Sequence, residues 1–190
     1  IKGGMGRQDA LRICPDMVIL ETDPPKYHYV YKTLTSIMKD YSPNIRMKSI
    51  DEGVIDFHGT LGTVHSRSLE SIGLEIKQRL KNQLGSWMKI NVGIAPNQFL
   101  AKTAAGLHKP DGMDRIDHRN LRDVYSNLEL TDLTGIARRY SARLKAAGIH
   151  TPIEFLDASS DTLRRYVFHS IVGDDWYHRL RGYEVDHNPT

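Results

Sequence analysis

Cys14 is the only cysteine among the 190 residues, so no intrachain disulfide can form, and a reducing compartment is the simplest expectation. With no evident base partner, that thiol is expected to be a small buried residue. No apolar run approaches the length of a membrane span and no signal-peptide pattern is present, so no membrane partner is expected. The nine histidines show neither HExxH nor paired Cys/His spacing, which leaves none as a metal ligand. A strong excess of one charge is also missing. Lys and Arg number 26 against 23 Asp and Glu, a net charge of +3, so an anionic partner is permitted but not demanded. Apolar residues at 39% and charged ones at 26% are ordinary for a globular chain and exclude bulk disorder. The chain opens on Ile1 and runs straight into structured-looking sequence, from which a piece of a longer protein is expected.

The stretch Ile45–Phe57 is the most informative. Two short apolar runs, Ile45–Ile50 and Val54–Phe57, flank Asp51, Glu52 and Gly53, and read as a hairpin with both carboxylates at its tip. Adjacent acids repel each other unless a cation is present, which suggests a divalent-metal site. A turn that merely favours Asp and Gly is the plain alternative.

Around the hairpin the elements fall in order. Gly3, Gly4 and Gly6 read as a loop, followed by a short helix over Arg7–Ile13 and a buried-type strand over Met17–Leu20. Asp23-Pro24-Pro25 starts a helix whose stripe runs Tyr27, Val30, Tyr31, Leu34, Ile37, Met38 and Tyr41, with the tyrosines expected in the core. A second amphipathic helix is expected from about Val64 to Leu84, stopped by Gly85. A strand over Met88–Val92 and a helix capped by Asn97 and running to Leu107 come next, and Lys109-Pro110-Asp111-Gly112 is a turn. The order strand–helix–strand–strand–helix–strand is that of an α+β, ferredoxin-like βαββαβ unit. After a boundary near residue 116, short helical segments (118–128, 138–147, 152–158, 160–168 and 174–180) predict a small all-helical domain.

Two further groups point to phosphate chemistry. Lys102 lies one turn into the helix that Asn97 caps, where it can reach a triphosphate beside amide donors at the helix start; a plain surface lysine is the alternative. Leu133-Thr134-Gly135-Ile136-Ala137, with Leu144 and Ala147-Gly148-Ile149 after it, has helix-hairpin-helix spacing. Its turn would aim backbone N–H groups at a DNA phosphate, and Arg138, Arg139, Arg143 and Lys145 would add attraction without reading sequence. An ordinary helical turn with a solvated basic face is the bland alternative.

The motifs Ser49-Ile50-Asp51-Glu52, Val92-Gly93-Ile94-Ala95-Pro96-Asn97, Leu100-Ala101-Lys102, Lys109-Pro110-Asp111-Gly112 and Leu133-Thr134-Gly135-Ile136 resemble, in order and spacing, those of the Y-family translesion DNA polymerases, closest to the polymerase IV and kappa type. The resemblance covers nearly the whole chain. It implies partial fingers over residues 1–16, an incomplete palm over 17–116 and a thumb over 117–190. It further implies Asp51 and Glu52 as catalytic, metal-holding carboxylates for two Mg²⁺ ions. Lys102 and Met5 become nucleotide-binding residues, and Gly135, Ile136, Ala137, Arg138 and Arg139 DNA-binding ones. Primer–template DNA and a dNTP are the implied partners, with a sliding clamp engaged through regions outside this chain. The implied location is the bacterial cytoplasm at the nucleoid, or the nucleus in a eukaryote.

Departures from that pattern shape the expectation. A first palm strand with another metal-binding aspartate would precede Ile1, and the little finger would follow Thr190. Ala137 replaces the second glycine of the usual hairpin, and Gly53 stands where alanine is commoner. The 190 residues alone are therefore expected to have little polymerase activity. Two rivals are a non-catalytic, DNA-binding relative, against which the retained Asp51 and Glu52 argue, and a nucleotidyl cyclase, which leaves the helix-hairpin-helix segment unexplained.

Overall fold

The computed structural model describes residues 1, 3–59 and 67–186. After α1 (Arg7–Ile13), the helix α2 (Pro24–Lys39) begins where the Asp23 carboxylate accepts the Lys26 amide at 3.2 Å with Pro24 in its first turn. The hairpin β1 (Ile45–Met47) and β2 (Gly53–Ile55) follows, antiparallel, with Arg46 opposite Val54. Helix α3 (Leu69–Leu84) is stopped by Gly85 at φ +113°, as expected, but it starts later than expected, because the Ser68 hydroxyl caps it and leaves Arg67 and Ser68 outside the helix. The Val64 start expected for it lies outside the described residues. Ile37 and Tyr41 of the α2 region bury against Ile72, Ile76 and Leu80 of α3, with Leu34, Ile55 and Phe57 at the margin of this smaller core. The N-terminal half of the α2 stripe is not buried. Tyr27 is exposed and Val30 and Tyr31 only half-buried, because α3 covers only the C-terminal turns of α2.

The second sheet differs from the sequence expectation. Strand β3 spans Val92–Ile94 rather than 88–92, and it pairs in parallel with β4 (Met113–Arg115), a strand that period-2 reasoning does not find. Between them runs α4 (Gln98–Leu107), so strand, helix and strand form one crossover unit. The expected strand at Met17–Leu20 is irregular coil, and Val18 and Leu20 are 80% and 83% exposed. A strand exists only as a ladder, and no described segment offers this run a partner. The described residues thus hold two two-stranded sheets, not the single βαββαβ sheet expected. Cys14 caps α1 and is exposed rather than buried, because nothing in the described chain packs over this end.

Beyond β4 the chain is helical: α5 (Leu121–Ser126), a 3₁₀ turn at Leu130–Asp132, α6 (Arg138–Ala146), α7 (Pro152–Asp157), α8 (Ser160–Thr162) running into a π-helical turn at Leu163–Phe168, and α9 (Val172–Leu180). The larger core lies here, built on Phe155, Phe168 and Trp176, and it takes in Phe99, Leu100 and Ala104 of α4 as well as Ile116. Phe99 meets Trp176 edge-on at 5.5 Å between ring centroids, a favourable aromatic geometry. No helix among the described residues is long and apolar enough to cross a membrane.

Candidate active site

The hairpin tip is closed by its own backbone. The Lys48 and Ser49 amides both donate to the Glu52 carbonyl, at 2.8 and 3.2 Å, and Asp51 and Glu52 lie in the turn so formed. Asp51 is exposed, and its Oδ1 accepts the Ser49 hydroxyl at 2.6 Å. Glu52 is half-exposed, and its carboxylate forms an ion pair with the Lys102 Nζ from α4. The two acids and the lysine singled out from the sequence are therefore assembled by the fold, although 50 residues separate Glu52 from Lys102. Ser49 belongs to the Ser49–Glu52 motif, but nothing in the local sequence marks its hydroxyl as the donor to Asp51.

What places Lys102 is the seat of α4 on β3. A Cβ on Gly93 would lie 1.9 Å from the Ala101 carbonyl oxygen and 2.6 Å from the Ala105 nitrogen, so strand and helix backbones touch here as only glycine permits. The helix start is fixed by Asn97, 4% exposed. Its Oδ1 accepts the Leu100 amide at 2.8 Å, while its Nδ2 donates to the carbonyls of Arg179 and Tyr183, each at 2.8 Å. Beside it the Gln98 amide donates to the Glu184 carboxylate at 3.0 Å. Burial pushes the Glu184 carboxyl up, but the Gln98 and Asp186 amides, the Gln98 side chain and the Arg46 charge outweigh it and leave the group below its ordinary value. The cap was expected from sequence; the two carbonyls and Glu184, more than 80 residues away, carried no local signal.

The Lys109–Gly112 turn closes the back of the β3–β4 unit. Asp111 stands at φ +64° with its carboxylate on Lys81 Nζ at 2.6 Å, on the Ile90 amide at 3.2 Å and near Lys77 Nζ at 3.3 Å, which holds it far below the usual carboxylate range.

In the helical part, Gly135 takes φ +93° and the Ile136 amide closes the turn on the Leu133 carbonyl at 2.9 Å. Ile136 and Leu133 are buried, which anchors the turn, while Gly135, Ala137, Arg138 and Arg139 are exposed at the start of α6. Ala137 is extended (φ −86°, ψ −178°), so its methyl group sits without strain. The element before the turn is a single 3₁₀ turn at Leu130–Asp132, opened by the Glu129–Asp132 capping box, rather than a full helix. Among the described residues neither Arg138, Arg139 nor Lys145 is in an ion pair, whereas Arg143 lies over the Tyr140 ring. Met5 is half-buried in the coil before α1, and among the described residues no hydrogen bond joins that segment to the hairpin. A further pocket of about 420 Å³, lined by Arg164, Arg165, His169, Ser170 and Ile171, escaped the sequence reading. Its two guanidiniums already face Asp174 and Asp161, so its local charge is nearly balanced.

A pair of carboxylates on a strand turn, one of them held by a lysine from a helix packed on the neighbouring sheet, sits in a chain that belongs to the impB/mucB/samB family, whose model matches residues 1–106. The chain is 37% identical over 153 residues to DNA polymerase IV of Pelotomaculum thermopropionicum, spanning 80% of this chain and 37% of that protein. To DNA polymerase IV of Moorella thermoacetica it is 30% identical over 191 residues, spanning 100% of this chain and 46% of that protein. Among solved structures, the insertion ternary complex of Dbh DNA polymerase matches with a TM-score of 0.80 at 23% identity, over 100% of this chain and 53% of that one. The crystal structure of DinB from Sulfolobus solfataricus matches with a TM-score of 0.76 at 24% identity, over 95% and 52%. The fold is thus that of the Y-family polymerases, mixed α and β with small sheets. The chain spans less than half the length of these curated relatives.

Proposed function

We propose that the protein carrying this chain is a template-directed DNA polymerase of the lesion-bypass class, joining a dNTP to a primer 3′-hydroxyl. The observation that carries the reading is the convergence of Asp51, Glu52 and Lys102 at one hairpin tip. Phosphoryl transfer needs positioning and charge neutralisation more than covalent chemistry, and these three groups are of the types required. In this reading residues 17–116 are an incomplete palm, residues 1–16 with Met5 part of the fingers, and residues 117–190 the thumb.

Among the described residues no three metal-ligating side chains converge. Asp51 and Glu52 still fit Mg²⁺, a hard cation usually held through one or two carboxylates, with waters and substrate phosphates filling the rest of its sphere. Two Mg²⁺ ions, when bound, would neutralise the triphosphate and favour the ionised 3′-hydroxyl. The chain's own residues supply the rest. Ser49 orients the Asp51 carboxylate, and Lys102 offers a mobile point charge suited to a triphosphate. The exposed Gly135–Arg139 turn, with free guanidiniums at a helix start, suits phosphates of primer–template DNA without reading bases. A clamp would engage elsewhere in the protein.

The test is primer extension by the full-length protein with Asp51→Ala and Glu52→Ala together. A loss of at least about a hundredfold in incorporation rate is expected, the scale of a removed electrostatic stabiliser. Undiminished extension would sink the assignment.

A further inference from the structure

Each of the two hairpin carboxylates is satisfied by a donor of the protein: Asp51 by the Ser49 hydroxyl, Glu52 by the Lys102 ammonium. The pairing of Lys102 with Glu52 is the only ion pair either side chain makes among the described residues. Both groups are half-exposed, so the pair is open to exchange rather than locked in a core. An ammonium held against one carboxylate oxygen opposes a cation approaching that oxygen. The same contact withholds the ammonium from a second anion.

We propose that Lys102 is an exchangeable counter-ion, which ties metal binding at the hairpin to triphosphate binding at α4. While the ion pair stands, Glu52 is a poor metal ligand and Lys102 a poor phosphate ligand. A triphosphate that draws Lys102 away exposes the Glu52 carboxylate to a divalent cation. A cation that takes Glu52 releases Lys102 to the triphosphate. Because binding free energies are linked, each ligand must then raise the affinity for the other by the same factor. An apo protein of this design wastes little affinity on a metal or a nucleotide alone. The inference rests on the metal and nucleotide reading of the hairpin given above, and adds the order in which its charges trade partners. Lys102 acts here as a positioning residue toward Glu52.

Two measurements on the full-length protein isolate the exchange, each with one ligand only. The first titrates Mn²⁺ without nucleotide, counting the free ion by electron paramagnetic resonance. Lys102→Ala should tighten Mn²⁺ binding about two- to fivefold, the range of a removed half-exposed ion pair. Lys102→Arg, which keeps the pair, should match the wild type. Lys48→Ala, which removes a nearby charge not paired with Glu52, should change the affinity less than Lys102→Ala does. The second titrates a fluorescent dNTP analogue in EDTA. Glu52→Gln, which frees Lys102, should tighten nucleotide binding by a similar factor, whereas Lys102→Ala should weaken it. Removing a residue that merely supports the fold would tighten neither. Failure of either tightening, with wild-type binding intact and lost in Asp51→Ala for the metal, overturns the exchange alone. Absence of any Asp51-dependent Mn²⁺ binding overturns the metal reading of the hairpin, and the exchange with it.

Discussion

Replacing Asn97 by alanine would remove three hydrogen bonds at a residue that is 4% exposed: the cap to the Leu100 amide and the two bonds from Nδ2 to the carbonyls of Arg179 and Tyr183. An N-cap is worth about 0.5–2 kcal/mol and each internal hydrogen bond about 0.5–1.5 kcal/mol net. The sum centres on about 3 kcal/mol, which for a chain of this size lowers the melting temperature by roughly 6–12 °C. Two further substitutions separate the cap from the cross-link. Asn97→Ser keeps an acceptor for Leu100 but loses both donors, and should cost about 1–3 kcal/mol. Asn97→Asp also keeps the cap, yet sets a carboxylate against two carbonyl oxygens, so it should be no more stable than the serine variant. Urea titration followed by far-UV circular dichroism reads all three. An alanine variant within about 0.5 kcal/mol of wild type, or an aspartate variant equal to it, would refute the claim that Asn97 joins α4 to the C-terminal turn through its amide nitrogen.

Gly93→Ala should be worse than any Asn97 variant. Its methyl would fall 1.9 Å from the Ala101 oxygen, so α4 must lift off β3, at a cost beyond the roughly 1–3 kcal/mol of ordinary overpacking; a urea midpoint unchanged from wild type would contradict this. Acid should unfold the chain. The Arg115 guanidinium holds Glu70 low, the Tyr41 hydroxyl and Arg67 hold Glu75 low, Arg122 holds Asp157 low, and Glu184 is held low as described. Each folded value lies below its unfolded one, so the unfolded chain takes up protons first. The stability these groups give is complete above the ordinary values of 3.8 and 4.5 and is lost as pH falls through the depressed ones. Urea midpoints that stay level or rise between pH 6 and pH 3 would contradict that sign.

The sequence was most legible where one element decides its own structure. The 3.6-residue stripe of α3, the Asn97 cap, the Gly85 stop and the acidic turn each rest on neighbours within a few residues. It misled where structure needs a distant partner. Met17–Leu20 has strand composition but no ladder to join, and Met113–Arg115 is a strand only because Val92–Ile94 lies beside it. The stripe of α2 predicted tyrosines in the core, yet α3 reaches only its last turns. In the candidate site the residues could be named one by one, since carboxylates at a turn and a lysine at a helix start follow from local pattern. Their mutual arrangement could not. The Lys102–Glu52 pair is set by the backbone contact at Gly93, which no periodicity encodes.

The two hydrophobic cores divide the candidate site between them. The hairpin, through Ile55, belongs with α2 and α3, while α4 is sewn into the aromatic cluster around Trp176. They are joined along α3, where Gly73 packs closely on Val92 and Met113, Glu70 pairs with Arg115, and Lys77 and Lys81 hold Asp111. Glu52 and Lys102 are therefore carried by different cores, like two contacts of a relay mounted on opposite arms of one frame. The spacing of the two charges is thus set by how the two cores pack along α3, and by neither the hairpin nor α4 alone.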